Sequence, residues 1–128
     1  MTEPVSEFKS KSGLGRILPA MGYALDGLKA AYKHEHAFRQ ELVFVVIGTV
    51  VALVLSISAY QKLFLISVLV FVLIVELFNS AIEAIVDRVS LERHPLSKNA
   101  KDMGSAAVML AIFMAVAAWS VVLFTRFY

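Results

Sequence analysis

Three runs of apolar residues, separated by short polar stretches, dominate the chain. Residues 42–59 are rich in Val and carry no charge; with Ala37 and Phe38 ahead of them they approach the ~20 residues that a transmembrane helix needs. Residues 63–86 form the second run and residues 105–124 the third. Between the first two, residues 56–62 read as a turn with one basic residue. Residues 87–102 read as a charged connector in which Pro95 interrupts any helix. Ahead of the first run, Leu14, Ile17, Leu18, Met21, Leu25 and Leu28 recur at three- and four-residue steps, with Arg16, Asp26 and Lys29 elsewhere on the wheel. That pattern suits a helix lying in the membrane surface, which Pro19 either bends or starts. The expectation is an all-α membrane protein of one domain. It has a mobile tail over residues 1–15, a surface helix over 16–34, and spans at about 38–58, 63–86 and 104–124.

The second run breaks its own pattern. No charged residue occurs from Leu63 to Val75, and then Glu76, Asn79, Ser80, Glu83 and Asp87 follow without loss of helical character. At roughly 100° per residue these five fall within about 100° of arc, so one polar stripe descends a lipid-compatible helix. A carboxylate carried into a bilayer helix costs about 2.5–3.5 kcal/mol on insertion scales, so such residues are rare and usually functional.

Composition narrows the class. Hydrophobic residues make up 59% of the 128 and charged ones 17%, with a mean hydropathy of +0.77. Soluble domains sit near 45–50% and about 25% respectively. The net charge of +2, spread among acids, makes no case for nucleic acid, and the absence of cysteine excludes disulfides, zinc–thiolate sites and a Cys nucleophile. Residues 1–30 hold no continuous apolar stretch of the kind an ordinary cleaved signal peptide requires. Six Lys/Arg precede the first span and four lie in the second connector, against one in the first turn and one near the C-terminus. The positive-inside rule then predicts a cytoplasmic N-terminus and second connector, with Tyr128 outside. The stripe points to the side where ATP is.

Each candidate has a functional and a bland reading. Glu76 and Glu83, two turns apart on one face, suit a deep carboxylate acting as base and a shallower one holding a divalent cation, or else a structural polar cluster. Lys101 and Asp102 stand where a phosphate-binding lysine is useful, or are a snorkelling Lys and a helix-start Asp. Glu35 and Arg39 are spaced as an ordinary helix ion pair. His34, His36 and His94 lack zinc-ligand spacing and read as interfacial, and Gly13-Leu-Gly15 is no phosphate loop. Trp119, Phe124, Phe127 and Tyr128 read as an aromatic interface belt. Ala107, Ala111 and Ala115 form a small-residue face for close helix packing, within one subunit or between subunits. Intramembrane carboxylates also line ion or proton paths, but the outer halves of all three runs are almost wholly apolar, which disfavours a channel.

The stretches VELFNSAIEAIVDR over residues 75–88 and AKDMGSAAV over residues 100–108 resemble the prokaryotic diacylglycerol kinase family of small integral-membrane lipid kinases. Gly22, Tyr23, Gly27, Leu28, Ala30, Ala31 and EHAFRQE over residues 35–41 match it in the same order, so the resemblance runs from Arg16 to the C-terminus. It implies a homotrimer of three-span subunits, each with a surface helix, in a bacterial inner membrane, and active sites shared between neighbours. It implies transfer of the ATP γ-phosphate to a membrane lipid hydroxyl, with Glu76 accepting the proton and Glu35 and Glu83 holding Mg²⁺ against the phosphates. Lys101, Asp102, Glu92, Arg93 and His94 would contact the nucleotide, and Arg16 and Tyr23 would border both substrates. Asn79 and Ser105 would support the stripe and the lipid headgroup. Gly22, Ala30, Ala31, Ala37, Phe38, Arg39, Gln40 and Glu41 would line the lipid's path. Relatives that phosphorylate undecaprenol share the stripe, but Arg88 and DMGSAA over residues 102–107 look closer to the diacylglycerol branch.

Overall fold

The computed structural model describes residues 13–128, so most of the expected tail over residues 1–15 lies outside the described residues. Gly13–Arg16 forms a 3₁₀ turn, entered through Gly13 at φ +69°, a left-handed value that glycine adopts without strain. Four α-helices follow: α1 (Ile17–His34), α2 (His36–Val54), α3 (Ala59–Val89) and α4 (Pro95–Phe127). The chain divides after His34 into two compact units.

The first unit is the 3₁₀ turn and α1. Pro19 is the third residue of α1, within its first turn, where its missing N–H breaks no helical bond. The apolar stripe Leu18, Met21, Leu25 and Leu28 is exposed, like nearly all of the helix.

The second unit, residues 35–128, is built from the three long helices. Each is long and apolar enough to cross a membrane. Helix α3 is the central one, packed against both α2 and α4. Its start is fixed by a capping box: the Gln61 N–H donates to Ser58 Oγ at 3.1 Å and the Ser58 N–H to Gln61 Oε1 at 2.9 Å. Two cations close the neighbouring end of α2. Lys62 Nζ donates to the Leu53 carbonyl at 2.7 Å and Arg126 Nε to the Ser56 carbonyl at 2.8 Å, meeting the unpaired carbonyls and negative dipole of a helix C-terminus.

The core is a row of small residues on α4 facing branched ones on α3. Ala111, Ala115 and Ala118 meet Val68 and Val72, and beyond them Val122 joins Leu65 and Ala52. Ala111 and Ala115 thus pack within the subunit, whereas Ala107 is exposed. Trp119 touches both groups, and its indole N–H donates to the Leu65 carbonyl at 3.3 Å. It is a packing residue and not a member of the interface belt. Phe124 and Tyr128 stack 5.5 Å apart, and the Arg126 guanidinium lies 5.5 Å from the Phe127 centroid.

The expected connector over residues 87–102 is mostly helix. Pro95 does not interrupt α4 but opens it, at the first helical position, and the His94 ring Nδ1 caps it by accepting from the Leu96 N–H at 3.1 Å. Helix α3 runs on to Val89, which leaves residues 90–94 as the link.

Candidate active site

The polar stripe lies on the packed face of α3 and opens gradually along it. Glu76 and Asn79 are buried at 4% and 9% exposure, Ser80 and Glu83 are half-buried, and Asp87 is exposed. Depth explains the gradient. Counting from Leu63, where the apolar run begins, a rise of 1.5 Å per residue puts Glu76 about 20 Å along and Glu83 about 30 Å along. The hydrocarbon core is ~30 Å thick, so an upright span entering it at Leu63 would place Glu76 roughly 10 Å beneath the far boundary and Glu83 at it.

Around Glu76 the three long helices converge. Ser80 Oγ donates to Glu76 Oε1 at 3.4 Å, one turn further along the same face. Asn79 lies beside the same carboxylate, and Glu35, Glu41 and Glu83 are all near enough to act on charge there. Glu35 stands at the N-cap of α2 with an extended backbone, yet its side chain makes no capping bond. Its carboxylate is therefore left for other partners. Two buried oxygens, Glu41 Oε2 and Asn79 Oδ1, have no hydrogen-bond partner among the described residues. Buried polar atoms of this kind are uncommon and call for an explanation such as an absent ligand.

Beyond the boundary, the end of α3 and the start of α4 enclose an open cleft of about 770 Å³, lined among others by Asp87, Glu92, Arg93, His94, Lys101 and Asp102. Lys101 Nζ meets Asp87 Oδ1 at 2.6 Å, and Lys98 meets Asp102. By accepting this hydrogen bond the Asp87 carboxylate holds the Lys101 ammonium above the usual lysine range, and Glu83 adds to the effect. Both pairs are exposed, and exposed ion pairs contribute little to stability. Glu83 acts on both Glu76 and Lys101 and so links the buried site to the cleft.

A second cavity, about 460 Å³, runs alongside the spans from Gln40 and Glu41 past Phe44 and Leu69 to Trp119. It is apolar except at the Gln40 and Glu41 end. Phe38 is buried at 3% exposure, Arg39 is half-buried, and Ala37 and Ser105 are exposed. Among the residues singled out in the sequence, the second unit thus gathers Glu35, Glu41, Glu76, Asn79 and Glu83, and separately Glu92, Arg93, His94, Lys101 and Asp102. Arg16, Gly22, Tyr23, Ala30 and Ala31 belong to the first unit.

One residue of the site escaped the sequence. Gly104 is buried on α4 directly against Asn79, and a Cβ there would overlap Asn79 Oδ1. Its motif, Met103-Gly104-Ser105, shows a small residue but not what faces it.

The donor set fits a hard divalent cation only in part. Glu35 and Glu83 flank Glu76, but among the described residues no group of three His, Cys, Asp or Glu is placed to hold a metal ion alone. Two carboxylates suit a cation that takes its remaining ligands from water and phosphate, as Mg²⁺ does at nucleotide sites.

Comparison with known proteins identifies the family. A model of the family described as prokaryotic diacylglycerol kinase matches residues 22–123. The chain belongs to the prokaryotic diacylglycerol kinase family. A protein named diacylglycerol kinase from Pseudomonas aeruginosa is 53% identical over 92% of this chain and 96% of its own length. One of the same name from Escherichia coli K12 is 50% identical over 91% and 95%, and one from Haemophilus influenzae 39% over 88% and 96%. The kinase is thus an ATP-dependent enzyme of a bacterial membrane, with three apolar helices for spans.

Proposed function

We propose that this kinase transfers the γ-phosphate of MgATP to the free hydroxyl of diacylglycerol, yielding phosphatidic acid, with Glu76 as general base. The observation that carries the reading is a buried carboxylate, Glu76, on the packed face of an apolar span, with a polar stripe leading from it through Glu83 and Asp87 to an open cleft. A diacylglycerol hydroxyl cannot leave the interface, so its base has to be inside the bilayer edge, whereas ATP cannot enter the bilayer. The stripe spans that difference in depth.

In the proposed reaction the lipid hydroxyl donates a hydrogen bond to Glu76, with Asn79 and Ser80 fixing the carboxylate. Glu76 takes the proton as the hydroxyl oxygen bonds to the γ-phosphorus, and the bond from that phosphorus to the bridging oxygen of ADP breaks. Such transfers depend on positioning and charge neutralisation more than on covalent chemistry. Lys101 turns from Asp87 to the phosphates, and Glu92, Arg93, His94 and Asp102 contact the rest of the nucleotide. Glu35 and Glu83 would hold Mg²⁺, which would supply positive charge against the phosphates. The acyl chains enter past Ala37–Glu41, with the cavity below Glu41 taking apolar surface. Arg16, Gly22, Tyr23, Ala30, Ala31 and Ser105 keep the substrate roles that the family resemblance implies.

The assembly proposed is a homotrimer with shared active sites. Most large apolar side chains of the spans are exposed on the single chain, including Val46, Phe71, Phe113 and Val116, so lipid and neighbouring subunits together must cover them. The distribution of Lys and Arg supports an inner-membrane orientation with the N-terminus and the cleft in the cytoplasm and Tyr128 in the periplasm.

The test is ATP-dependent phosphorylation in mixed micelles, with diacylglycerol and undecaprenol offered in parallel and Glu76→Gln as control. Label in phosphatidic acid that disappears in the variant is expected. Label only in the polyprenol would overturn the substrate, and near-normal turnover in Glu76→Gln would overturn the base.

A further inference from the structure

Along the packed face of α4, four buried positions are small: Gly104, Ala111, Ala115 and Ala118. The three alanines meet Val68 and Val72, apolar partners that accept a methyl group. Gly104 differs in both respects. It lacks a side chain, and the residue it faces is polar: a Cβ at 104 would overlap Asn79 Oδ1 and crowd Asn79 Cγ at 3.3 Å. General close packing does not account for glycine here, since Ala serves elsewhere on the same face. What the glycine accommodates is one end of one amide.

Asn79 stands three residues from Glu76 on α3, one turn along the same buried face, so their side chains are neighbours. Asn79 is 9% exposed, and its Oδ1 makes no hydrogen bond among the described residues. Turned the other way, the amide would present its oxygen to a carboxylate, with two acceptors facing each other. In the observed orientation Oδ1 lies along the direction a Cβ would take, which in glycine is that of a Cα–H bond. Contacts of the Cα–H···O type recur where helices approach closely. The bare backbone at Gly104 is therefore the wall against which Asn79 is set.

We infer that Gly104 is a positioning residue for phosphoryl transfer: it fixes the Asn79 amide in the orientation that supports Glu76. The inference rests on the reading of Glu76 as base, because only then does the setting of Asn79 matter to the reaction. A methyl group at 104 rotates Asn79 away from α4 and moves its N–H relative to the carboxylate. Displacements of about 1 Å at a reacting centre cost up to about 100-fold in rate. ATP binding, made in the cleft beyond the boundary, is left alone.

The test is a double-mutant cycle of Gly104→Ala and Asn79→Ala in the full chain, assayed in mixed micelles with diacylglycerol and MgATP. Gly104→Ala alone is expected to lower kcat about 10- to 100-fold with the KM for ATP changed less than about two-fold. In the Asn79→Ala background, the same substitution is expected to cost less than about two-fold more, because the group it displaces is gone. Independent, multiplying losses would overturn the inference, as would a Gly104→Ala protein with normal kcat. If Gly104→Ala alone does not fold, the double variant, which removes the overlap, is expected to recover folding by circular dichroism and thermal unfolding; failure to recover would overturn it too. Glu76→Gln distinguishes the two levels. Normal turnover there removes the base, whereas multiplying losses in the cycle with an inactive Glu76→Gln remove only the role of Gly104.

Discussion

The two ends of the three-helix unit are built on opposite principles. At the end where α2 stops and α3 starts, Ala52, Leu65 and Val122 close an apolar core, Trp119 bonds to a backbone carbonyl, and Ser58, Lys62 and Arg126 satisfy the helix termini. At the other end α2 and α3 carry carboxylates and an amide into the packed face, two oxygens have no partner among the described residues, and a cleft stands open. Buried unpartnered polar groups cost stability, about 1–3 kcal/mol each by mutational estimates. The closed end supplies the rigidity that lets the open end keep such groups in place. Stability and chemistry are thus separated along the membrane normal, in one chain with a single central helix common to both.

Substitutions at each end test that division. The largest effect is expected for Glu76→Gln, a loss of about 100- to 10,000-fold in kcat, the range typical of a general base. Unfolding measurements should show the same variant at least as stable as the parent, since a neutral amide replaces a buried acid. At the closed end Trp119→Ala is expected to reverse the pattern. It should lower unfolding free energy by about 3 kcal/mol, while the protein that remains folded keeps its kcat. If Trp119→Ala abolished turnover in folded protein, the ends would not be separable.

Smaller effects sharpen the picture. Lys101→Met is expected to raise the KM for ATP about ten-fold with the KM for diacylglycerol unchanged, since the lysine serves the cleft and not the lipid. Equal changes in both constants would place it elsewhere. Ser58→Ala should cost about 1 kcal/mol of stability through its lost cap, with no change in either KM. Chelation of divalent ions by EDTA is expected to stop turnover. Manganese titrated without nucleotide should bind weakly, because two carboxylates await ligands that arrive on the phosphates.

Much of this division is legible from period and composition. The polar stripe could be read because Glu76, Asn79, Ser80, Glu83 and Asp87 keep helical spacing, and because a lipid-compatible run leaves a carboxylate few reasons to be present. The same reasoning mistook Pro95 for a breaker. Pro ends a helix that reaches it and starts one that follows it, and only the His94 cap reveals which applies. Trp119 passed for an interface anchor because its position in the chain is near an end; its partner, the Leu65 carbonyl, is 54 residues distant. Gly104 was missed for the same reason. A glycine's purpose is written in whatever faces it, and Asn79 lies on another helix.

On the proposed reading, the depth of Glu76 sets the terms in which the enzyme meets its two substrates. One arrives from a volume and the other from a plane. Occupancy of the cleft should follow the molar concentration of ATP in the water, while access to Glu76 should follow the mole fraction of diacylglycerol among the surrounding lipids. Adding inert lipid at constant total diacylglycerol would then slow the reaction without altering its apparent affinity for ATP. The kinase would sense how crowded its own membrane is with substrate, whatever the amount present in the cell.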